Sequence, residues 1–145
     1  MKKILILVFI TLPMLSFSQS NLNEKLVGNH LLSLQWISWD YFGDAMITST
    51  KKENLYKIDG IQKSKENTDY LKIKGTLTAF SDKHLIFNGT IETSVYHLNN
   101  GKPCIRKGKF NFKVSGQRKY WRLQEMKNPC DEATDYVDIY FTKRT

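Results

Sequence analysis

Apolar and polar residues alternate with a period of two along most of the chain. Between residues 85 and 95, Leu85, Phe87 and Ile91 fall on one face, while Asn88 and Glu92 fall on the other. A period of two is the side-chain period of a β-strand that buries one face. The pattern therefore predicts an all-β protein.

A second run, between residues 104 and 114, alternates almost as regularly. Cys104, Phe110 and Phe112 fall on its apolar face, and Arg106 is the one charged member of that face. The sequence Asn99-Asn100-Gly101 between the two runs is typical of a hairpin turn. A single helical turn is predicted near residues 22–27. Eight strands are predicted, over residues 30–38, 45–49, 54–63, 70–79, 84–97, 103–115, 118–126 and 135–142.

Short turns between successive strands favour an antiparallel meander, in which each strand pairs with the next. Eight strands in a meander close into a barrel, and closure removes the unpaired edge strands. Gly75 and Gly89 lie within predicted strands and fit a curved sheet. The same pattern also fits a two-sheet β-sandwich, which is the alternative to the barrel.

Residues 1–18 have the layout of a secretory signal peptide. A basic start is followed by an apolar run that ends near Phe17, with the small residues Ser16 and Ser18 on either side of it. The apolar run is shorter than the about 20 residues of a membrane-spanning helix. We predict cleavage after Ser18, a single β-barrel domain over residues 19–145 with no membrane span, and a periplasmic or secreted location.

Composition supports an exported globular domain. The chain has 145 residues, 41% of them hydrophobic, which is enough apolar surface to exclude intrinsic disorder. Its 22 basic residues exceed its 14 acidic residues, for a formal charge of +8. The two cysteines, Cys104 and Cys130, predict one disulfide in an oxidising compartment.

The signal peptide, the N-terminal turn, the eight strands and the closing disulfide together resemble the lipocalin-like (calycin) barrels. The resemblance implies that a small apolar molecule binds inside the barrel. The Gly-x-Trp signature of that family is not met, because Gly28-Asn29-His30 has His at the Trp position and Trp36 lies six residues later. Arg122 matches the family's late-strand Arg.

Large aromatic and polar side chains mark the candidate ligand site. The last strand neighbours the seventh in a closed barrel, so side chains on matching faces of these strands converge. Aromatic rings with a few polar groups are typical of a small-molecule pocket. The alternative is an outer sheet surface on which Arg122 pairs with Asp138 across the strands. The candidate ligand-binding residues are Trp36, Tyr120, Arg122, Gln124, Tyr136, Asp138 and Tyr140.

Catalytic and metal-binding motifs are not apparent. None of the three histidines lies in a nucleophile motif or at metal-ligand spacing, so we predict no enzymatic activity, no metal and no cofactor. Lys107, Lys109 and Lys113 share one strand face, and such a face attracts anionic partners such as an envelope component. Nucleic acid is not expected, because no aromatic residues are interleaved with these lysines on their own strand face.

These patterns predict an exported, non-enzymatic β-barrel that binds a small apolar or lipid-like ligand. The alternative is a binding module for an envelope component, a glycan or another exported protein. That module would use the basic face or the surface aromatics Trp36, Trp39 and Tyr41.

Overall fold

The alternating sequence pattern forms a closed barrel in the computed structural model, which describes residues 16–145. Each strand pairs antiparallel with the next, and the last strand pairs with the first, so the barrel is confirmed and the sandwich is excluded. The eight strands are β1 Gly28–Leu34, β2 Gly43–Ser49, β3 Leu55–Lys63, β4 Tyr70–Ser81, β5 His84–Ser94, β6 Cys104–Lys113, β7 Tyr120–Leu123 and β8 Val137–Lys143.

Six of the eight strands are shorter than the sequence predicts, and the first and the seventh show the reason most clearly. The first ends at Leu34, because the amide of Ile37 donates to the carbonyl of Leu34 and turns the chain. The seventh ends at Leu123, and the chain then leaves the sheet for a loop that is closed by a bridge between Lys127 and Thr134. In both places local hydrogen bonds replace the strand ladder that the alternation predicted.

The helix α1, Ser16–Leu26, is longer than the predicted turn and covers one end of the barrel. Leu26 is fully buried, and the Nζ of Lys143 donates to the carbonyl oxygen of Glu24. Both ring nitrogens of His30 lie 2.7 Å from carbonyl oxygens, those of Leu26 and Tyr140, so this side chain joins the helix to β8. Among the described residues, no helix has the length and apolarity to cross a membrane.

The predicted cleavage point after Ser18 falls within α1. Residues 1–15 of the predicted signal peptide lie outside the described residues, so export and cleavage stay predictions.

Every strand contributes buried apolar side chains to the interior of the barrel. The ring of Phe87 stands between those of Phe110 and Phe112, with centroid distances of 6.2 and 6.1 Å. Gly75 pairs with Gly89 beside it, and a Cβ on Gly89 would lie 2.8 Å from the Phe87 ring. The two glycines therefore leave the space that the ring fills. The largest fully buried side chains are Trp121, Tyr56, Phe87, Phe112, Leu26, Leu32, Leu34, Ile47, Ile58, Leu71, Ile73 and Leu77.

The predicted disulfide is present between Cys104 of β6 and Cys130 of the loop between β7 and β8. Its Cα atoms are 5.9 Å apart, within the normal range for a disulfide. The bond closes a sequence separation of 26 residues and fixes the loop that leaves the short β7.

Replacement of both cysteines should destabilise the fold. We expect Cys104→Ser/Cys130→Ser to lower the free energy of unfolding by about 3 kcal/mol, because the unfolded chain gains loop entropy. Urea denaturation with and without reductant measures this. Reductant should lower the stability of the natural protein and leave the double variant unchanged; equal stability of all samples would contradict the structural role.

Candidate functional site

Five of the predicted site residues meet on the outer wall of β7 and β8. Trp121 and Ile139 point into the core, so the residues that alternate with them point outward. Arg122 is opposite Asp138, and Tyr120 is opposite Tyr140. We call the group made by Tyr120, Arg122, Tyr136, Asp138 and Tyr140 the tyrosine platform.

A bidentate ion pair between Arg122 and Asp138 lies at the centre of the tyrosine platform. The Nε of Arg122 donates to Asp138 Oδ1 at 2.8 Å, and a terminal nitrogen of the guanidinium donates to Oδ2 at 2.7 Å. The side chains are 13% and 2% exposed, respectively. Because water is largely excluded and both hydrogen bonds are charge-assisted, this pair fixes the geometry of β7 against β8.

Burial and pairing act in opposite directions on the carboxyl group. Burial raises the pKa of Asp138, whereas the guanidinium of Arg122 opposes that rise. The hydrogen bond from Arg122 to Asp138 raises the pKa of the guanidinium, against the effect of its own burial. Loss of either partner therefore leaves an unpaired charge in a place where water screens it poorly.

Aromatic rings cover this ion pair. The guanidinium carbon of Arg122 lies 4.1 Å from the ring centroid of Tyr136 and 5.0 Å from that of Tyr120. Tyr120 contacts Tyr140 at 5.3 Å between centroids, and Tyr140 contacts Phe42 at 5.0 Å. The side chains of Tyr120, Tyr136 and Tyr140 are half-buried, and their phenol oxygens make no hydrogen bond to any of the described residues 16–145.

Phe42 was not predicted as a site residue. It lies in the connection between β1 and β2, far in sequence from the two strands that carry the tyrosine platform. Closure of the barrel places β8 beside β1, which itself pairs with β2, and this brings the Phe42 ring onto Tyr140. No pattern local to Phe42 indicates this contact.

The other two predicted residues have different positions. Gln124 follows β7, and its side-chain amide donates to the carbonyl of Arg122 at 2.8 Å, so it borders the platform. Trp36 does not join it, because its indole Nε1 donates to Asp135 Oδ1 at 3.0 Å in a different cluster. The prediction grouped Trp36 with the tyrosines through its place after β1, but the turn after Leu34 carries the indole elsewhere.

The cluster around Trp36 closes the barrel end opposite α1, and we call it the polar plug. The carboxylate of Asp135 accepts hydrogen bonds from the indole of Trp36 and, at 3.0 Å, from the side-chain amide of Asn128. It also accepts one from Arg106, with which it forms an ion pair. Arg106 also donates to the carbonyl of Glu125 at 2.8 Å. Burial raises the pKa of Asp135, opposed chiefly by the charge of Arg106. The polar plug consists of Trp36, Arg106, Asn128 and Asp135.

The sequence contains one indication of the polar plug, because Arg106 is the one charged residue on the apolar face of its predicted strand. Its side chain and that of Asp135 are only 4% and 1% exposed. The Cys104–Cys130 disulfide lies beside the plug, and the amide of Cys130 donates to Asn128 at 2.8 Å. Between α1 and the plug, apolar side chains fill the interior.

The surface aromatics of the alternative prediction are dispersed. Trp39 is 64% exposed, whereas Tyr41 is half-buried and its hydroxyl accepts from the amide of Lys65 at 2.9 Å. Among residues 16–145, no group of three or more His, Cys, Asp or Glu side chains is placed to hold a metal ion.

The central ion pair should behave as a coupled unit. We expect Arg122→Met to lower the free energy of unfolding by about 3–5 kcal/mol, because it leaves Asp138 buried without a partner. Arg122→Met/Asp138→Leu should recover most of that loss, since no unpaired charge remains. Urea denaturation measures both variants.

The exposed pair between Arg144 and Asp44 provides the control. Arg144→Met should cost less than about 1 kcal/mol, because water screens that pair. A double variant at Arg122 and Asp138 that is as unstable as the single variant would contradict the coupling.

Comparison with known proteins places the chain in a family. It is 42% identical over 122 residues to "Uncharacterized protein PM1083" of Pasteurella multocida (strain Pm70), and the match covers 84% of this chain and 77% of that protein. No solved structure matches the chain, so the lipocalin resemblance is not confirmed by a structural relative. Residues 15–141, nearly all of the barrel, match the PM1083 family, and the chain belongs to that family.

Proposed function

We propose that this protein is a non-enzymatic binding module that works outside the cytoplasm and holds another protein through the tyrosine platform. The observation that carries the proposal is the platform itself. The rings of Tyr120 and Tyr136 lie over a buried ion pair on the outer wall, Tyr140 packs against Tyr120, and the three hydroxyls bond to no described residue. Tyrosine and arginine are enriched at the energetic centres of protein interfaces.

The rigidity of the platform supports this use. Arg122 is fixed by two hydrogen bonds to Asp138, and its guanidinium is flanked by the rings of Tyr120 and Tyr136. Rings that are already ordered lose little side-chain entropy when a partner binds. The platform therefore offers apolar contact area and polar hydroxyls at a low cost of ordering.

The filled interior favours a function at the surface. A ligand enclosed by the barrel needs a cavity of roughly 300 Å³ or more. Here the inward positions carry Phe87, Phe112, Trp121 and other buried side chains, and the polar plug and α1 cover the ends. These observations support the outer wall over the interior as the place of binding.

The location outside the cytoplasm is supported by two features. The predicted signal peptide directs export. The Cys104–Cys130 disulfide is of the kind that persists in oxidising compartments. The non-enzymatic character is supported by the structural use of the buried acids, since Asp135 and Asp138 are each held by an arginine.

Removal of the platform rings should weaken partner binding without unfolding the barrel. We expect Tyr120→Ala/Tyr140→Ala to reduce capture of a specific protein from the exported fraction of the native host at least tenfold, since central tyrosines each contribute about 1–2 kcal/mol. Quantitative mass spectrometry of the captured proteins measures this.

The control is Phe80→Ala/Tyr96→Ala, which removes two exposed rings outside the platform. It should capture the partner as the natural protein does. Equal capture by the platform variant, or a partner lost equally with both variants, would refute the proposal.

A small apolar or lipid-like ligand is a second candidate, favoured by a cleft of about 590 Å³ between α1 and the adjoining turns. Leu22, Ala79 and Phe80 give it an apolar side, and Lys25 lies at its rim. Native mass spectrometry of protein from an exporting host should then show an extra mass that Phe80→Ser removes. A bare chain in both samples would count against this ligand.

A further inference from the structure

We propose that the wall formed by β3 to β6 binds an acidic polysaccharide along a belt of lysines, independently of the tyrosine platform. Four exposed lysines, Lys57, Lys74, Lys107 and Lys109, define this cationic belt. They come from three strands that are distant in sequence, and only the barrel aligns them.

Strand register sets the spacing of the belt. Lys74 and Lys107 are both opposite Thr90 of β5, and Lys109 is opposite Asn88 of the same strand. Strands about 4.8 Å apart place Lys74 and Lys107 about 10 Å apart, and Lys107 and Lys109 are about 7 Å apart along β6. The positive charges therefore form a regular array across the wall.

Charge on this wall is strongly one-sided. The outward positions of β3 to β6 carry seven lysines and only two acids, Asp59 and Glu92. Asp59 lies 3.4 Å from Lys74 in an exposed pair, and Glu92 accepts a hydrogen bond from Tyr70. Within the described part of the chain, Lys57, Lys107 and Lys109 have no ion-pair partner. Their charge is thus available to a polyanion.

Polar side chains between the lysines suit a sugar polymer. Thr76, Asn88 and Thr90 lie between the lysines and offer hydroxyl and amide groups for hydrogen bonds to sugar hydroxyls. A single-stranded nucleic acid needs aromatic rings on which its bases stack. No aromatic residue lies between the lysines of the belt, so the wall favours an acidic polysaccharide over a nucleic acid.

Two surface clefts extend the belt at its ends. One, of about 480 Å³, is lined by Met46, Lys57 and Lys74 among others. The other, of about 350 Å³, adjoins Lys107 and adds Lys127. A linear polymer that follows the lysines passes from one cleft to the other, and the basic residues outnumber the acids Asp59 and Glu125 that also line the two clefts.

The belt and the tyrosine platform occupy different walls. The platform is carried by β7 and β8, with Phe42 from the connection before β2, whereas the belt is carried by β3, β4 and β6. The two surfaces share no residue, so binding at one uses no side chain of the other. The protein would then join an acidic polysaccharide to a second protein.

The test compares two variants of equal net charge. In the belt variant, Lys57, Lys74, Lys107 and Lys109 are each changed to Gln. In the control, the exposed Lys51, Lys52, Lys83 and Lys119, which lie in turns, are each changed to Gln. The probe is fluorescent polygalacturonate, and anisotropy measures binding at several salt concentrations. Circular dichroism checks that both variants fold.

We expect the belt variant to lose at least tenfold in affinity and to reduce the slope of log affinity against log salt by about three, as expected for the loss of four contacts to a single-stranded polyanion. The control should keep both values. Tyr120→Ala/Tyr140→Ala should also keep them, which separates this proposal from the protein-binding function.

Three outcomes would overturn the proposal. Failure of the natural protein to bind polygalacturonate at low salt is the first. Equal losses in the belt variant and the control would show attraction by net charge alone. Belt-dependent binding that is tighter for single-stranded DNA of equal charge, or equally tight for neutral dextran, would reject an acidic polysaccharide as the partner.

Discussion

The pairing of β8 with β1 is the constraint on which the rest of the structure depends. Closure gives every strand two neighbours and divides side chains into an inward and an outward set. The inward set must then fill a fixed volume. Phe87 fills the space that Gly75 and Gly89 leave, while α1 and the polar plug cover the two ends of the barrel.

The barrel contains two buried Arg–Asp pairs, one in its interior and one on its outer wall. Arg106 and Asp135 form the inner pair, in the polar plug, where Trp36 and Asn128 donate further hydrogen bonds to the carboxylate of Asp135. Arg122 and Asp138 lie outside, where tyrosine rings replace water. Burying such pairs gives little net stability, but their bonding geometry is demanding. We infer that the inner pair positions the loop after β7 and the outer pair orders the tyrosine platform.

The outer wall is divided into two surfaces of different chemistry. Near β7 and β8 the surface is aromatic and its central charges are neutralised within the pair of Arg122 and Asp138. Across β3 to β6 it is rich in lysines with few acids. The first surface suits desolvated contact with a protein, and the second suits a hydrated, salt-sensitive contact with a polyanion.

The sequence predicted the strands and the disulfide, because the period of two and the turn residues act over a few neighbours. It favoured a barrel but also fitted a two-sheet sandwich, and only the pairing of β8 with β1 excludes the sandwich. The pairing of Arg122 with Asp138 was predicted only as the outer-surface alternative to a ligand pocket, and the structure has the two residues opposite each other on the outer wall. The tertiary structure decided which face was inside. Parity along β8 is the same for both choices, and only packing against Leu32, Trp121 and the rest of the core assigns Ile139 inward and Asp138 outward.

Contacts between distant parts of the chain also determine which single residues lie in the site. Trp36 lies outside the predicted site because a hydrogen bond from the amide of Ile37 to the carbonyl of Leu34 turns the chain. Phe42 contacts the site because closure of the barrel brings β8 beside β1. The cationic belt likewise depends on contacts between strands, because Lys57 and Lys109 are aligned by strand register and not by any local repeat. Local patterns specify strands, whereas contacts between distant strands depend on how the whole sheet closes.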